Sequence, residues 1–207
     1  MMDIESPAAS WAELERSIGE LLNPGYISQI IKLEDRQAAA GHNIRRMATA
    51  VARSMAAAIE LKVPATTLWD TIKNPEVVPK LMPEYVSSCE YLEGDGGVGS
   101  IRLMKFGPAV AHFVTFSKER IDAVDDSSKK LAYSVFEGEL MNYFKSYKVS
   151  VELVQGVEDK GCTLNWSLEY EPINPDMPPP EISKEGAIST FKAVEAYLLG
   201  INNESTK

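Results

Sequence analysis

Through the second half of the chain, apolar and polar residues alternate in short runs separated by residues that favour turns. A period of two marks a half-buried strand, because successive side chains leave opposite faces of a sheet. The alternation predicts strands near 86–93, 99–107, 111–125, 130–138, 143–154 and 162–172. Their connections, Gly107-Pro108, Asp125-Asp126-Ser127-Ser128 and Glu158-Asp159-Lys160-Gly161, carry turn chemistry and are short, as in an antiparallel meander. Upstream, Ile59-Glu60-Leu61-Lys62-Val63 also alternates and predicts a first strand, whereas the Ala-rich run Ile44–Ala58 is ambiguous between helix and strand. At Pro64 the period changes. Leu68, Trp69 and Ile72 form the inward face of a helix that starts there, and Glu76–Leu81 is a second short helix between Pro75 and Pro83. Beyond the Pro-rich linker Asn174–Pro180 a long helix runs from Ile182 to Leu199 and stops at Gly200. The fold class is α+β, and a seven-stranded antiparallel sheet curled around the terminal helix is the economical way to bury both.

Residues 1–45 follow another pattern and read as a partly helical N-terminal extension, ahead of a domain over 46–200 and a tail over 201–207. Ser10 caps a helix Trp11–Leu22, whose stripe of Trp11, Leu14, Ile18, Leu21 and Leu22 has helical spacing; Asn23-Pro24-Gly25 ends it. Tyr26–Ala40 reads as a second helix stopped by Gly41. Such a stripe must cover the domain's own surface, the mouth of a cavity, or a partner, so the chain is expected to be a monomer or a homodimer formed through residues 11–22.

Between two of the strands lie four glycines in six residues, Gly94-Asp95-Gly96-Gly97-Val98-Gly99. Gly94, Gly96 and Gly99 match the dinucleotide pattern G-x-G-x-x-G, but that pattern requires a helix after the glycines, whose N-terminal amides hold the pyrophosphate. Here strands flank the run on both sides and no Lys follows it, so the glycines read as a hairpin loop.

Composition narrows the partners. The 207 residues suit one domain with an appendage, and 44% hydrophobic with 25% charged residues is ordinary for a globular protein. A formal net charge of −9 argues against nucleic acid and against an anionic membrane surface. No secretory signal or membrane-length apolar run is visible, so a cytoplasmic location is expected. Cys89 and Cys162 sit within predicted strands as small buried hydrophobes. His42 and His112 are isolated and make no metal site, and no cofactor is implied.

The element order resembles the plant Bet v I superfamily of START-like proteins, with its class-ten pathogenesis-related proteins, major latex proteins, norcoclaurine synthases and abscisic acid receptors. The resemblance covers about residues 59–200. It rests on Pro64-Ala65 with Leu68-Trp69, on Gly94–Ser100, on Lys118-Glu119-Arg120-Ile121-Asp122, on Tyr133-Ser134-Val135-Phe136-Glu137-Gly138, and on Lys184-Glu185-Gly186 with Ala193–Leu199. It implies a helix-grip fold, a curved sheet around the long helix with two short helices closing one end, and an apolar cavity between sheet and helix. Alternation then assigns Leu131, Tyr133 and Val135, Tyr147 and Val149, and Trp166 to the cavity wall. The family pattern adds Tyr85, Tyr91, Phe106, Phe116, Gly186 and Thr190 as ligand contacts.

Norcoclaurine synthases use a Tyr, a Glu, a Lys and an Asp for acid–base work. Carried over by position, the glutamate is Glu119; the tyrosine falls on Ser117, or on Phe116 if the strand bulges; the lysine falls on Leu131 and the aspartate on Val149 or Ser150. Leu and Val cannot move protons. Glu119 reads instead as a polar residue satisfied by its neighbours Lys118 and Arg120. The His-Arg-Leu latch of the abscisic acid receptors is replaced by Glu137-Gly138-Glu139-Leu140. The function expected is an intracellular carrier of a hydrophobic small molecule with a defence-related role. The alternative is a cofactor-independent lyase, isomerase or condensing enzyme acting through Glu119 or His112 in the same cavity.

Overall fold

The computed structural model describes residues 51–111, 114–157 and 161–200. The helices expected over 11–22 and 26–40, His112 and the tail 201–207 lie outside the described residues. In chain order the elements are β1 (Arg53–Leu61), α1 (Ala65–Ile72), α2 (Val77–Leu81), β2 (Val86–Glu93), β3 (Ile101–Phe106), β4 (Phe116–Asp125), β5 (Lys130–Gly138), a 3-10 turn (Glu139–Asn142), β6 (Phe144–Gln155), β7 (Cys162–Pro172) and α3 (Glu181–Leu198). The strands form one sheet in the order β1-β7-β6-β5-β4-β3-β2, antiparallel throughout. Irregularities between Val86 and Ser88, Tyr91 and Glu93, Lys118 and Glu119, and Ile121 and Ala123 fall in the β2–β5 half. Such bulges bend a strand and deepen its twist, which curves the sheet around α3.

The Ala-rich run resolves as strand from Arg53 onward. Met55, Ala57, Ile59 and Leu61 turn inward, while Ser54, Ala56, Ala58 and Glu60 are exposed. Alanine has little preference for a strand, so pairing with β7 decides. Ala57 lies opposite Trp166, where its small side chain leaves room for the indole. At the other discrepancy, β4 starts at Phe116 rather than near 111. The Gly107 carbonyl instead accepts from the Val110 and Ala111 amides, at 3.1 and 2.9 Å, and winds the chain into a turn behind Pro108.

A solid core fills the β1–β7–β6 side. Ile59, Leu61, Val149, Val151, Leu153, Leu164, Trp166 and Leu168 pack with Leu68 and Trp69 of α1 and Val194 of α3. α3 is also tied to the end of β1: the Lys62 amide donates to Glu195 Oε1, and Lys192 Nζ donates to the Glu60 carbonyl at 2.6 Å. α1 is held to the β4–β5 turn by Asp126, whose Oδ1 accepts from Trp69 Nε1 at 2.6 Å and from Lys73 Nζ at 2.8 Å. The cysteines stay apart, on β2 and β7, which are not neighbours.

Two outcomes test this frame. Gly138 sits at φ 119°, where a Cβ would run into the Phe116 carbonyl. Gly138→Ala should therefore lower the unfolding free energy by more than about 1 kcal/mol in urea titrations. The hydrogen bond from Lys73, then that from Trp69, holds the Asp126 carboxyl below its ordinary value of 3.8. A depressed native value adds stability that is complete above the unfolded value and disappears as pH falls through the native one. The difference in thermal midpoint between the wild type and Asp126→Asn should thus be steady above about pH 5 and shrink in more acidic solution.

Candidate functional site

Register on the inner face of β2–β5 brings together residues far apart in sequence. β3 contributes Arg102 and Met104, which lie opposite Glu119 and Ser117 of β4. β2 places Tyr91 opposite Arg102 and Cys89 opposite Met104. β5 places Tyr133 opposite Ile121 and Val135 opposite Glu119. The result is a buried ion pair. Arg102 Nε donates to Glu119 Oε2 at 2.9 Å, Arg102 Nη2 donates to the same oxygen, and Ser117 Oγ donates to Oε1 at 3.1 Å. The guanidinium carbon lies 4.9 Å from the centre of the Tyr133 ring, a cation–π arrangement. Only 8% of Arg102 and 3% of Glu119 is exposed, so water screens the pair little.

Burial is the largest single influence and pulls the Arg102 guanidinium down, but the Glu119 charge and hydrogen bond together with the nearby Tyr133 and Cys89 outweigh it and hold the group above its ordinary value, firmly cationic. Burial drives the Tyr133 hydroxyl far up, and the Glu119 charge adds to that; burial likewise raises Tyr91. The Cys89 thiol is pushed up to about 11, chiefly by burial, and is therefore a poor nucleophile at neutral pH.

Glu119 is satisfied, but not by its sequence neighbours. Lys118 pairs with Glu137 at 2.8 Å and Arg120 with Asp122 at 3.3 Å. Its partner, Arg102, is missing from the residues that sequence singles out. In Ile101-Arg102-Leu103-Met104, Ile101 and Leu103 are half-buried on the opposite face, so alternation does not say which way Arg102 points. The only sequence signal for it is a charge two residues from Met104 and four from Phe106 in the same strand. Ser117, rather than Phe116, takes the inward position at the tyrosine's place: the β3–β4 ladder is regular there, and Phe116 pairs with Lys105 on the other face.

The remaining expected contacts divide. Val135, Tyr147, Val149 and Trp166 belong to the solid core, with Tyr147 Oη bonded to Ser183 Oγ of α3 at 2.5 Å. Tyr91, Met104, Phe106, Leu131 and Tyr133 are half-buried on the inner face. Tyr85 lies in the turn before β2, where its carbonyl accepts from the Gly107 amide at 2.9 Å. Thr190 spends its hydroxyl on the Gly186 carbonyl one turn earlier at 2.8 Å, and Gly186 is exposed. At the latch-like position, the Glu139 carboxylate accepts from the Thr115 and Phe116 amides, at 3.2 and 3.4 Å, and from the Thr115 hydroxyl, which fixes the start of β4.

The glycine run starts no helix. Ser100 Oγ accepts from the Gly96 amide at 3.1 Å, and the Gly99 amide donates to the Ile121 carbonyl at 2.8 Å, tying the hairpin to β4. A Cβ at Gly96 would lie 3.0 Å from the Tyr91 hydroxyl, so the loop covers this tyrosine closely. On the outer face, Ala56, Ala58, Ser150, Ser167, Lys130 and Glu152 border a solvent-open furrow of about 440 Å³, on the far side of the sheet from the ion pair.

The model of the pathogenesis-related protein Bet v 1 family matches residues 50–200. MLP-like protein 423 of Arabidopsis thaliana is 34% identical over 143 residues, 68% of this chain and 90% of that protein. The crystal structure of ginseng major latex-like protein 151, from Panax ginseng, superposes with a TM-score of 0.63 at 24% identity, over 71% of this chain and 97% of that one. A norcoclaurine synthase from Thalictrum flavum, in complex with dopamine and hydroxybenzaldehyde, shares the fold at a TM-score of 0.59 and 23% identity, over 81% and 96%.

Breaking a buried ion pair strands a charge, whereas replacing both partners removes the problem. Arg102→Met should cost about 3–5 kcal/mol in urea unfolding, and the double variant Arg102→Met/Glu119→Leu should recover most of that loss.

Proposed function

Because the chain belongs to the pathogenesis-related Bet v 1 family, we propose that it is a carrier of a hydrophobic small molecule, of the plant-metabolite or hormone-like kind, held between the inner face of the sheet and α3. One observation carries this reading. On β1, β6 and β7 the inner-face side chains pack into or against the core, and Leu131 and Tyr133 of β5 are half-buried at its border, while Tyr91, Met104 and Phe106 of β2 and β3 are half-buried outside it. Apolar and aromatic surface left partly uncovered inside a concave fold, beside a few fixed polar groups, is what a small-molecule site offers. Each square ångström a ligand covers there is worth about 25 cal/mol.

The same geometry favours carriage over turnover. A general base needs a free lone pair aimed at the substrate proton. Glu119 Oε2 already takes two Arg102 donors and Oε1 takes Ser117. The positions matching the synthase's lysine and aspartate hold Leu131 and Val149 or Ser150. Among the described residues no helix is long and apolar enough to cross a membrane. A cytoplasmic carrier with a defence-related role fits this reading and the net charge of −9.

Fluorescence titration with N-phenyl-1-naphthylamine tests it. The wild type should bind the probe saturably with one site, and Met104→Trp, which fills the space beside Ser117 and Cys89, should weaken binding about tenfold or more. Absence of saturable binding to the wild type, or equal binding by a correctly folded Met104→Trp, defeats the proposal.

A further inference from the structure

Resting on that carrier reading, we propose that the Arg102–Glu119 pair makes the site selective for uncharged, hydroxyl-bearing aromatic ligands and sets it against organic anions and cations of the same skeleton.

The argument starts from charge balance. On the described inner face of β2–β5, Arg102 and Glu119 are the charged residues, and each is the other's counter-ion. The neighbouring charges face away: Lys118 is paired with Glu137, Arg120 with Asp122, and Lys105 lies 3.9 Å from Glu90 on the exposed side. A ligand carboxylate or sulfonate can reach Arg102 only by sharing it with Glu119. That places two negative charges against one cation where dielectric screening is weak. A ligand ammonium meets the mirror-image problem at Glu119. Either ion must shed its water without gaining an uncontested partner, and desolvation then works against binding.

A hydroxyl avoids this conflict. It accepts from a guanidinium N–H that Glu119 does not use, and the pair's net charge stays zero. The aromatic character follows from the walls. Tyr133 lies across the guanidinium, and Tyr91, Met104 and Phe106 border the same stretch half-buried, so a flat apolar body has faces to stack on. Ser117 completes the device: its hydroxyl fixes Glu119 Oε1, so the carboxylate cannot swing away to admit an anion at Arg102.

Two probes of one skeleton read this out. N-phenyl-1-naphthylamine is neutral, and 1-anilinonaphthalene-8-sulfonate adds a single negative charge. Each is titrated into the full chain as wild type, Glu119→Gln and Arg102→Gln/Glu119→Gln, with mutual displacement confirming a shared site. Removing the carboxylate charge frees Arg102, so Glu119→Gln should tighten the sulfonate about tenfold or more while the neutral probe changes by less than about threefold. The double variant, neutral again, should return the sulfonate to its weak wild-type binding. An unchanged ratio of the two affinities in Glu119→Gln overturns the proposal, as does tight sulfonate binding that persists in the double variant. If Glu119→Gln does not fold, displacement of the neutral probe from the wild type decides: 2-naphthol must outcompete 2-naphthoate and 2-naphthylmethylammonium, and a charged form that matches it refutes the selectivity. Failure of both probes to bind the wild type strikes the carrier reading instead, so the two failures are told apart.

Discussion

Cross-strand register is the constraint on which the interior of this protein rests. The β3–β4 ladder runs regularly from Ile101 opposite Arg120 to Lys105 opposite Phe116, and so sets Arg102 against Glu119. A slip of one residue in β4 would exchange its faces. Lys118 and Arg120 would turn inward, and Glu119 would leave its buried counter-ion Arg102. The hydrogen bonds of the glycine hairpin at Gly99 and Ser100 to Ile121, and the grip of Glu139 on Thr115 and Phe116, hold β4 at its middle and at its start against such a slip.

That register also divides the molecule into two unlike halves. On the β1–β7–β6 side, aliphatic and aromatic side chains interdigitate with α1 and α3 in the close-packed manner of a protein core. On the β2–β5 side the inner face mixes half-buried apolar groups with one compensated ion pair. The first half supplies stability mainly by apolar packing, with polar tips such as Tyr147 Oη and Trp69 Nε1 bonded at its border. The second gives up some packing and keeps a few directional contacts, which is the division expected where a scaffold must be rigid and its interior receptive.

Much of this was legible in the sequence. The alternation over 86–93, 130–138 and 162–172 coincides with β2, β5 and β7, because each of those runs is bounded by residues that end a strand. Periodicity failed where side chains stopped reporting burial. Ala56, Ala57 and Ala58 are equally small whichever face they take, so β1 needed its partner β7 to be defined. The stretch before Phe116 has strand-like residues, but the hydrogen bonds to the Gly107 carbonyl make it a turn. The site was readable in part. Glu119 stood out from the family pattern, yet its environment depends on Arg102, seventeen positions away, and no local spacing encodes a pairing across strands. Phe116 and Ser117 are adjacent residues on opposite faces, and only the ladder tells them apart.

The bonds from α3 to the end of β1 have a consequence for the sheet's margin. A sheet grows by adding strands at a bare margin, and endless growth needs two such margins per molecule. Glu195 and Lys192 occupy backbone groups of the margin strand β1 only where it ends, at Lys62 and Glu60. An added strand would meet those groups already spent at the Glu60–Lys62 end of β1.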